Sequence, residues 1–246
     1  MRLRRGEVLL GVGALIVAGV CVRLGIWQLH RLAERRARNA EIRAARERPP
    51  LEVTGPGMAA ESVAHRRILV RGVYDYEHER VWRGRTYEGM PGVHVITPLE
   101  LPGGGSAVLV DRGWVPSPDA ARIDLSAWRG PDSAVVRGYG VALPRGRGDV
   151  DPRLLADSVP YVLLPFGVQA LPPDSPRGGP AGASRVGRRP PIPVPPPALD
   201  EGPHLFYAVQ WFSFALVALV GTGALLRRSA GERARLPLPP SRGDIS

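Results

Sequence analysis

The sequence predicts a membrane protein of the α+β class. We expect an N-terminal and a C-terminal transmembrane helix that flank an extracytoplasmic, mainly antiparallel β domain, shaped as a barrel or a sandwich. Apolar segments at residues 8–22 and 205–226 lie near the two ends of the chain, and arginines flank both of them. The polar stretch between them has roughly the size of one domain and contains several short β-rich runs.

The lengths of the apolar segments decide whether each one can span a membrane as a helix. A bilayer core requires about 20 helical residues, and the C-terminal segment meets that length. The N-terminal segment meets it if the helix continues through residues 24–29 while Arg23 extends toward the interface. We therefore expect transmembrane helices at residues 8–29 and 204–226. A cleaved signal peptide is the alternative at the N-terminus, but a clear small-x-small cleavage site is missing.

Arginines at the two tails predict the orientation. The tails, residues 1–7 and 227–246, are short and basic, which favours a cytoplasmic location for both. A further arginine cluster at residues 31–48 opposes this orientation. Because long loops translocate largely regardless of charge, we expect both termini inside and the central domain outside.

Composition excludes several classes of function. The net charge is +10 and all 33 basic residues are arginine, yet no nucleic-acid-binding module is recognisable. Contact with anionic lipid head groups explains the charge more simply. The single cysteine, Cys21, excludes an internal disulfide and a Cys-x-x-Cys motif, and its position predicts an inert thiol at the level of the lipid.

Residues 30–48 predict a juxtamembrane helical arm that continues the first helix. Apolar residues recur at steps of three and four and predict one apolar face, and Pro49 ends the pattern. The residues of this face are Leu29, Leu32, Ala33, Ala37, Ala40 and Ala44. We interpret the arm as a solvated stalk on lipid head groups, and a partner-docking arm is the alternative.

Residues 49–171 predict the β-rich domain. Candidate strands lie at residues 67–74, 79–82, 92–99, 107–115, 134–141 and 161–164. The glycine-rich run at 102–105 predicts a hairpin turn, and residues 119–127 predict a short helix or turn.

Residues 172–203 predict a linker rich in proline and glycine. We expect mobility up to Arg189, and then an extended polyproline strip at residues 190–197 that lies on the domain.

Four local motifs follow one another between the two apolar helices. They are LGIWQLHR at residues 24–31, RGVY at 71–74, VLVDRGWVP at 108–116 and HLFYAVQWF at 204–212. Their order resembles the surfeit locus protein 1 family over residues 24–214. The sequence departs from the family in having only arginines where a lysine commonly follows the first motif, and in the proline-rich linker. These departures concern partner docking.

The resemblance implies an assembly factor for haem–copper cytochrome c oxidase, located here in the bacterial plasma membrane. Such a factor assists the insertion of haem a into the haem-bearing subunit, or the maturation of that subunit. The implied partners are this subunit, the haem a synthesis machinery and membrane lipid. The positions that match family motifs are Trp27, Gln28, Arg31, Gly72, Tyr74, Asp111, Arg112, Gly113, Trp114 and Gln210.

The resemblance also implies a haem ligand at the start of the second membrane helix, and His204 occupies that position. Some bacterial members resemble haem a carriers with a suspected histidine ligand there. A neutral imidazole suits haem iron, and the aromatic rings of Tyr207 and Trp211 have the shape to pack on a macrocycle. The alternative is an interfacial histidine that bonds head groups or the helix start, beside ordinary interfacial aromatics.

Two further contacts are predicted from residue chemistry. The amides of Gln28 and Gln210 would satisfy each other if the two helix ends met. Asp111 and Arg112 are interpreted as a charge pair at the hairpin end with Trp114 in the core, and the alternative places Arg112 on a haem propionate.

The other side chains give no sign of catalysis or of a metal site. His30, His65, His78 and His94 lack metal-ligand spacing and are interpreted as surface or strand histidines. No catalytic motif is recognisable, so we expect a protein that is not an enzyme. The alternative function is a membrane-anchored scaffolding protein of the cell envelope without a cofactor.

Overall fold

The computed structural model of the protein describes residues 4–119, 121–144, 146, 150–172 and 190–235. The chain forms two compact units. The helical unit comprises Met1–Asn39 and Leu199–Ser246, and the sheet unit comprises Ala40–Ala198. The segment predicted to be mobile up to Arg189, apart from its first residue, lies outside the described residues, as do the ends of both tails.

The elements within the described residues are four α-helices, seven strands and two short 3-10 helices, Leu125–Trp128 and Ala156–Ser158. The helices are α1 (Arg5–Glu47), α2 (Ala60–Val63), α3 (Pro152–Leu155) and α4 (His204–Arg235). The strands are β1 (Leu51–Val53), β2 (Arg67–Tyr74), β3 (Arg80–Tyr87), β4 (Met90–Glu100), β5 (Ser106–Pro116), β6 (Ser133–Val141) and β7 (Val162–Ala170).

Helices α1 and α4 each contain a stretch that is long and apolar enough to cross a membrane. Helix α1 is continuous over 43 residues, in agreement with one long helix that includes the arm. It ends just before Pro49 and Pro50, because proline lacks a backbone donor and restricts the residue before it.

Small residues form the seam along which α1 packs against α4. Ala18, Cys21, Gly25, Gln28 and Leu32 follow one another at alternating steps of three and four residues, and all are buried except the half-buried Gln28. This spacing keeps one helix face toward a neighbouring helix, and the small side chains leave room for the larger rings of that helix. The Cys21 thiol is therefore buried between helices.

Most residues of the apolar face predicted for the arm do not pack against protein, so the contact of that face with lipid head groups stays a prediction. Only Leu32 of that face is buried, and Leu29, Ala33, Ala37, Ala40 and Ala44 are exposed. Buried Asn39 instead continues the seam that Leu32 belongs to. The polar partners of Asn39 lie in the segment before α4, and sequence periodicity alone does not indicate them.

The sheet unit contains one mixed sheet with the order β1-β2-β6-β7-β5-β4-β3 within the described chain. All six predicted strands are present, and β1 is an addition that the sequence analysis missed. The sheet is mainly antiparallel, as expected, and two parallel pairings, β1 with β2 and β5 with β7, make it a mixed sheet. The end of β2 also pairs with β4, through Val73 with Glu100 and Tyr74 with Leu99.

Strand β5 is the centre of the sheet core. It lies between β4 and β7, and its residues Ser106–Val115 are all buried. A strand that is buried on both faces reads as a continuous apolar run instead of an alternating one, which explains the run AVLV at residues 107–110. Larger core side chains around it include Ile68, Leu99, Leu164 and Phe166.

The proline-rich segment after residue 189 lies along β5. The Ile192 N–H donates to the Trp114 carbonyl at 2.8 Å, and the Trp114 N–H donates to the Ile192 carbonyl at 2.7 Å. Gly113 has a φ of +127°, and a Cβ there would collide with the Ile192 carbonyl. Glycine is therefore required beside Trp114, whose side chain is 1% exposed.

Replacing Gly72 tests the close approach of β2 to β4. A Cβ at Gly72 would collide with the backbone carbonyl of Glu100, which cannot move without breaking the β2–β4 pairing. We expect Gly72→Ala to lower the free energy of unfolding by about 1–3 kcal/mol, the usual cost of overpacking. Urea unfolding followed by tryptophan fluorescence measures this. Gly55→Ala is the matched control, since open space surrounds Gly55, and an equal loss in both variants would contradict the argument.

Candidate functional site

The candidate site of the helical unit is a contact between the two helices. His204 is the first residue of α4, and its Nδ1 lies 2.9 Å from the side-chain oxygen of Gln28 on α1. Because an amide oxygen accepts and cannot donate, the imidazole donates through Nδ1–H. The other ring nitrogen, Nε2, then carries a lone pair that can bind a metal ion or accept a hydrogen bond.

Gly202 lies beside the Nε2 edge of the imidazole. Its φ of +67° is in the left-handed region, which glycine adopts without strain. A Cβ at this position would lie 3.5 Å from Cδ2 and 3.7 Å from Nε2 of His204. Glycine therefore adds no side chain at this point, which also lies 3.8 Å from Cζ of Arg35.

Charged residues fix the segment that leads into α4. Arg35 Nη2 donates to Asp200 Oδ1 at 2.8 Å, and the amide nitrogen of Asn39 donates to the Asp200 carbonyl at 2.8 Å. Arg36 donates to both carboxylate oxygens of Glu201, at 2.9 and 2.7 Å, and this hydrogen bonding raises the pKa of Arg36. The Gly202 N–H donates to Asp200 Oδ1 at 2.9 Å. The arm thus holds the backbone immediately before His204.

The two motif glutamines, Gln28 on α1 and Gln210 on α4, do not contact each other. Gln28 contacts His204, whereas Gln210 is exposed, so the predicted pairing of the two glutamines is wrong. The physical reason is helix phase, since Gln210 lies six residues after His204 and points away from the seam. Trp27 is 52% exposed, and Arg31 pairs with Glu34 at 2.7 Å on the arm surface.

The two aromatic residues predicted to contact a cofactor differ in their surroundings. Trp211 packs with Ala18, Cys21 and Ala215 in the seam between the helices. Tyr207 is 43% exposed, and its ring lies outside that cluster. The structure thus places Trp211 in helix packing, and a cofactor contact for either ring stays a prediction.

Replacing Gly25 tests the helix contact on which the site depends. A Cβ at Gly25 would lie 2.7 Å from the ring of Phe212, whereas Gly19 has open space around it. We expect Gly25→Ala to lower the free energy of unfolding by about 1–3 kcal/mol. Gly19→Ala is the matched control and should be neutral or stabilising by up to about 1 kcal/mol, because alanine favours helix. Circular dichroism during denaturation measures both, and equal stability of the two variants would contradict the packing argument.

Asp111 and Arg112 of the sheet unit have separate partners. Asp111 Oδ2 lies 2.8 Å from His94 Nδ1, and Asp111 Oδ1 accepts from the Gly113 N–H at 3.0 Å. Arg112 donates to the Trp128 carbonyl at 2.8 Å. The predicted charge pair between Asp111 and Arg112 is therefore wrong, because each side chain bonds to a different set of groups.

A buried acidic residue, Glu79, lies on the Arg112 side of the sheet. Arg129 Nε donates to Glu79 Oε1 at 2.6 Å, and Arg112 Nη1 is 3.8 Å from Oε2. Burial raises the pKa of Glu79, although the two guanidinium groups act in the opposite direction. The Arg112 guanidinium also lies 5.1 Å from the ring centre of Tyr74, where burial raises the pKa of the phenol to about 12. Arg112 is thus buried within a polar cluster of this unit.

Asp75 is the acceptor of a second polar cluster in the sheet unit. Its Oδ2 accepts from the Tyr161 hydroxyl at 2.7 Å and lies 2.5 Å from His78 Nδ1. Its Oδ1 accepts from the backbone N–H groups of Glu77 and His78. Burial alone would raise the pKa of Asp75, but these hydrogen bonds outweigh it and lower the pKa below the ordinary value.

The lowered pKa of Asp75 makes stability depend on acid pH. A depressed folded-state pKa gives stability that is present above the unfolded pKa, near about 4, and that is lost as pH falls through the folded value. We expect Asp75→Asn to lower the free energy of unfolding by about 1–3 kcal/mol at neutral pH. On acidification, the variant should lose less of its remaining stability than the original protein does.

Denaturant unfolding at several pH values between about 2.5 and 7 checks this expectation around the ordinary aspartate pKa. Asp157→Asn, at an exposed aspartate, is the control. Glu79, whose pKa is raised, contributes a pH dependence of the opposite sign to the stability. Subtracting the free energy of unfolding of the original protein from that of each variant removes this shared contribution. Parallel pH profiles of Asp75→Asn and the original protein would count against the Asp75 cluster as their cause.

The described residues contain no group of three or more His, Cys, Asp or Glu side chains that could hold a metal ion. Of the histidines interpreted as ordinary, His78 and His94 each pair with an aspartate. The sequence analysis missed these pairs, and it also missed Gly202 and the charged segment before α4. Doublets of opposite charge, Arg35-Arg36 and Asp200-Glu201, were the available signal for that segment.

The fold and the site define an α+β protein with a pair of apolar helices, a histidine at the start of the second helix, and a mixed-sheet unit. The chain belongs to the SURF1 family, whose model matches residues 15–216. The resemblance inferred from the four motifs is therefore confirmed. The family is known generally as cytochrome oxidase assembly factors.

Two relatives match along most of the chain, and a third matches along less than half of it. A SURF1-like protein of Monosiga brevicollis is 27% identical over 251 positions, covering 93% of this chain and 91% of the relative. An uncharacterised SURF1-like protein of Mycobacterium tuberculosis is 27% identical over 243 positions, covering 88% and 83% of the two chains. Surfeit locus protein 1 of Mus musculus is 28% identical over 116 positions, covering 42% and 38%.

Proposed function

We propose that this protein is a membrane-anchored assembly factor for haem–copper cytochrome c oxidase that assists haem a insertion into, or maturation of, the haem-bearing subunit. Family membership supports the oxidase assembly role. The single observation that carries the haem step is the His204–Gln28 contact, which gives Nδ1 a partner and leaves Nε2 as a ligand atom.

The proposed setting is the bacterial plasma membrane, which α1 and α4 cross. Both helices have suitable length and apolarity, and basic tails at both ends favour cytoplasmic termini. The sheet unit would then lie outside. The additional pairing of β2 with β4 supports a barrel-like closure of its sheet.

The residues around His204 fit a haem group. The Nε2 lone pair would bind haem iron, and Gly202 adds no side chain next to it. Tyr207 presents an exposed ring three residues along α4 from His204. When bound, haem a supplies the redox-active iron of the oxidase. Arg112 has its own buried partners in the sheet unit, which argues against it as a propionate ligand.

The proposed mechanism is binding without catalysis. A factor promotes assembly if it binds an incomplete subunit, or haem a itself, more tightly than it binds the finished complex, because release then accompanies completion. In this proposal His204 binds the haem iron, and Gly202 adds no side chain beside the imidazole. The segment that contains Asp200 and Glu201 holds the backbone before His204 in place. The partners are the haem-bearing subunit, the haem a synthesis machinery and membrane lipid.

Deleting the gene and restoring variants tests this function. We expect deletion to lower the haem a absorbance of membranes and oxidase activity, and the original gene to restore both. His204→Ala should restore less than half, because the ligand atom is gone. His30→Ala is the matched control, since His30 is an exposed histidine of α1 outside the site. Unchanged oxidase content after deletion would overturn the proposal.

A scaffolding protein of the cell envelope without a cofactor is the second candidate. The observation that favours it is that Asp111, Gly113 and Trp114 of the third motif all have packing or hydrogen-bonding roles in the sheet unit. On this candidate, the protein purified from haem a-producing cells carries no haem absorbance. The gene that carries His204→Ala would then restore oxidase activity to a deletion strain as fully as the original gene does.

A further inference from the structure

We infer that Gln28 is a positioning residue for His204, whose side-chain oxygen holds the imidazole in the tautomer with hydrogen on Nδ1 and the lone pair on Nε2. The identity of the ligand that Nε2 binds, haem iron, rests on the proposed function. The tautomer itself rests on the contact alone. Gln28 would thus act on the ligand through His204, without touching it.

The first step is the direction of the hydrogen bond. The distance of 2.9 Å between Nδ1 and Oε1 is that of a well-formed hydrogen bond, and only the imidazole can donate in it. Histidine in water prefers the opposite tautomer, with hydrogen on Nε2. An acceptor facing Nδ1 is therefore what makes Nε2 the available lone pair.

The second step is that packing fixes the position of Gln28. Gly25 lies one turn before it and accommodates the ring of Phe212, and buried Leu32 lies one turn after it. Gln28 therefore belongs to the seam and faces α4, unlike its neighbour Trp27, which is exposed. A half-buried amide without a partner costs free energy, so the contact satisfies both side chains.

The third step is that the backbone leading into His204 is also held. The Asp200 carbonyl accepts from Asn39, and its carboxylate accepts from Arg35 and from the Gly202 N–H. These bonds fix the backbone two to four residues before His204. The ring is thus located between Gln28 at Nδ1 and Gly202 at the Nε2 edge.

Selective labelling of histidine with ¹⁵N tests the tautomer in the full-length protein without haem. Spectra are recorded at a pH of about 8, where histidine is ordinarily neutral. The chain has five histidines, and His204→Ala identifies the signal of His204 by its loss. We expect hydrogen on Nδ1 in the original protein and a change to mainly Nε2–H in Gln28→Leu. Gln28→Glu keeps an acceptor oxygen and should retain Nδ1–H.

Gln210→Leu is the matched control, because it removes the same side chain from an exposed position of α4. It should leave the His204 signal unchanged. An Nε2–H tautomer in the original protein, or an unchanged tautomer in Gln28→Leu, would overturn the inference. Rescue by Gln28→Glu separates positioning from general loss of structure, since a misfolded helix pair would not distinguish leucine from glutamate.

Titration with haem a separates this inference from the proposed function. We expect Gln28→Leu to bind haem a about 10-fold or more weakly than the original protein, the usual effect of losing a partner of a metal-ligating histidine. Gln28→Glu should bind and should shift the iron midpoint potential to a more negative value, because a carboxylate acceptor makes the imidazole a stronger donor.

The two failures are distinguishable. If the original protein binds no haem a but Gln28→Leu changes the tautomer, the haem-binding step of the proposed function fails and the positioning role stands. If haem a binds through His204 but Gln28→Leu changes neither tautomer nor affinity, the positioning role fails and the proposed function stands.

Discussion

The close packing of α1 against α4 is the constraint on which the rest of the candidate site depends. Small residues at Ala18, Cys21 and Gly25 permit this approach, and the ring of Phe212 occupies the space that a larger residue at Gly25 would need. The approach brings Gln28 within hydrogen-bonding distance of His204, although 176 positions separate them in sequence. This contact defines Nδ1 of His204 as the donor nitrogen and leaves Nε2 without a hydrogen.

The sheet unit applies the same physical rule to different residues. Its motif residues lie where backbones approach closely or where buried charges need partners. Gly72 and Gly113 lie against carbonyl groups, and Asp111 and Arg112 each satisfy a separate set of groups. These roles make the motif residues of this unit determinants of packing.

Sequence patterns predicted the elements better than their contacts. Hydrophobic runs and turn residues located six strands and both long helices, because burial and backbone geometry act over neighbouring residues. They missed β1, the two parallel pairings and the seam of the arm. For the site, the family motifs indicated His204 and Gln28 separately, but they led to the wrong partner for Gln28. Asp200 and Gly202 lay outside the motifs and were missed.

The amino-acid sequence was sufficient to predict two apolar helices that flank a β-rich region and a resemblance to the surfeit locus protein 1 family. These properties depend on composition, on local periodicity and on the order of short motifs. The folded structure was needed to show that Gln28 faces His204, that Arg112 is enclosed by Glu79 and Trp128, and that β5 runs parallel to β7. Such pairings join residues far apart in the chain, and their geometry depends on how whole helices and strands pack.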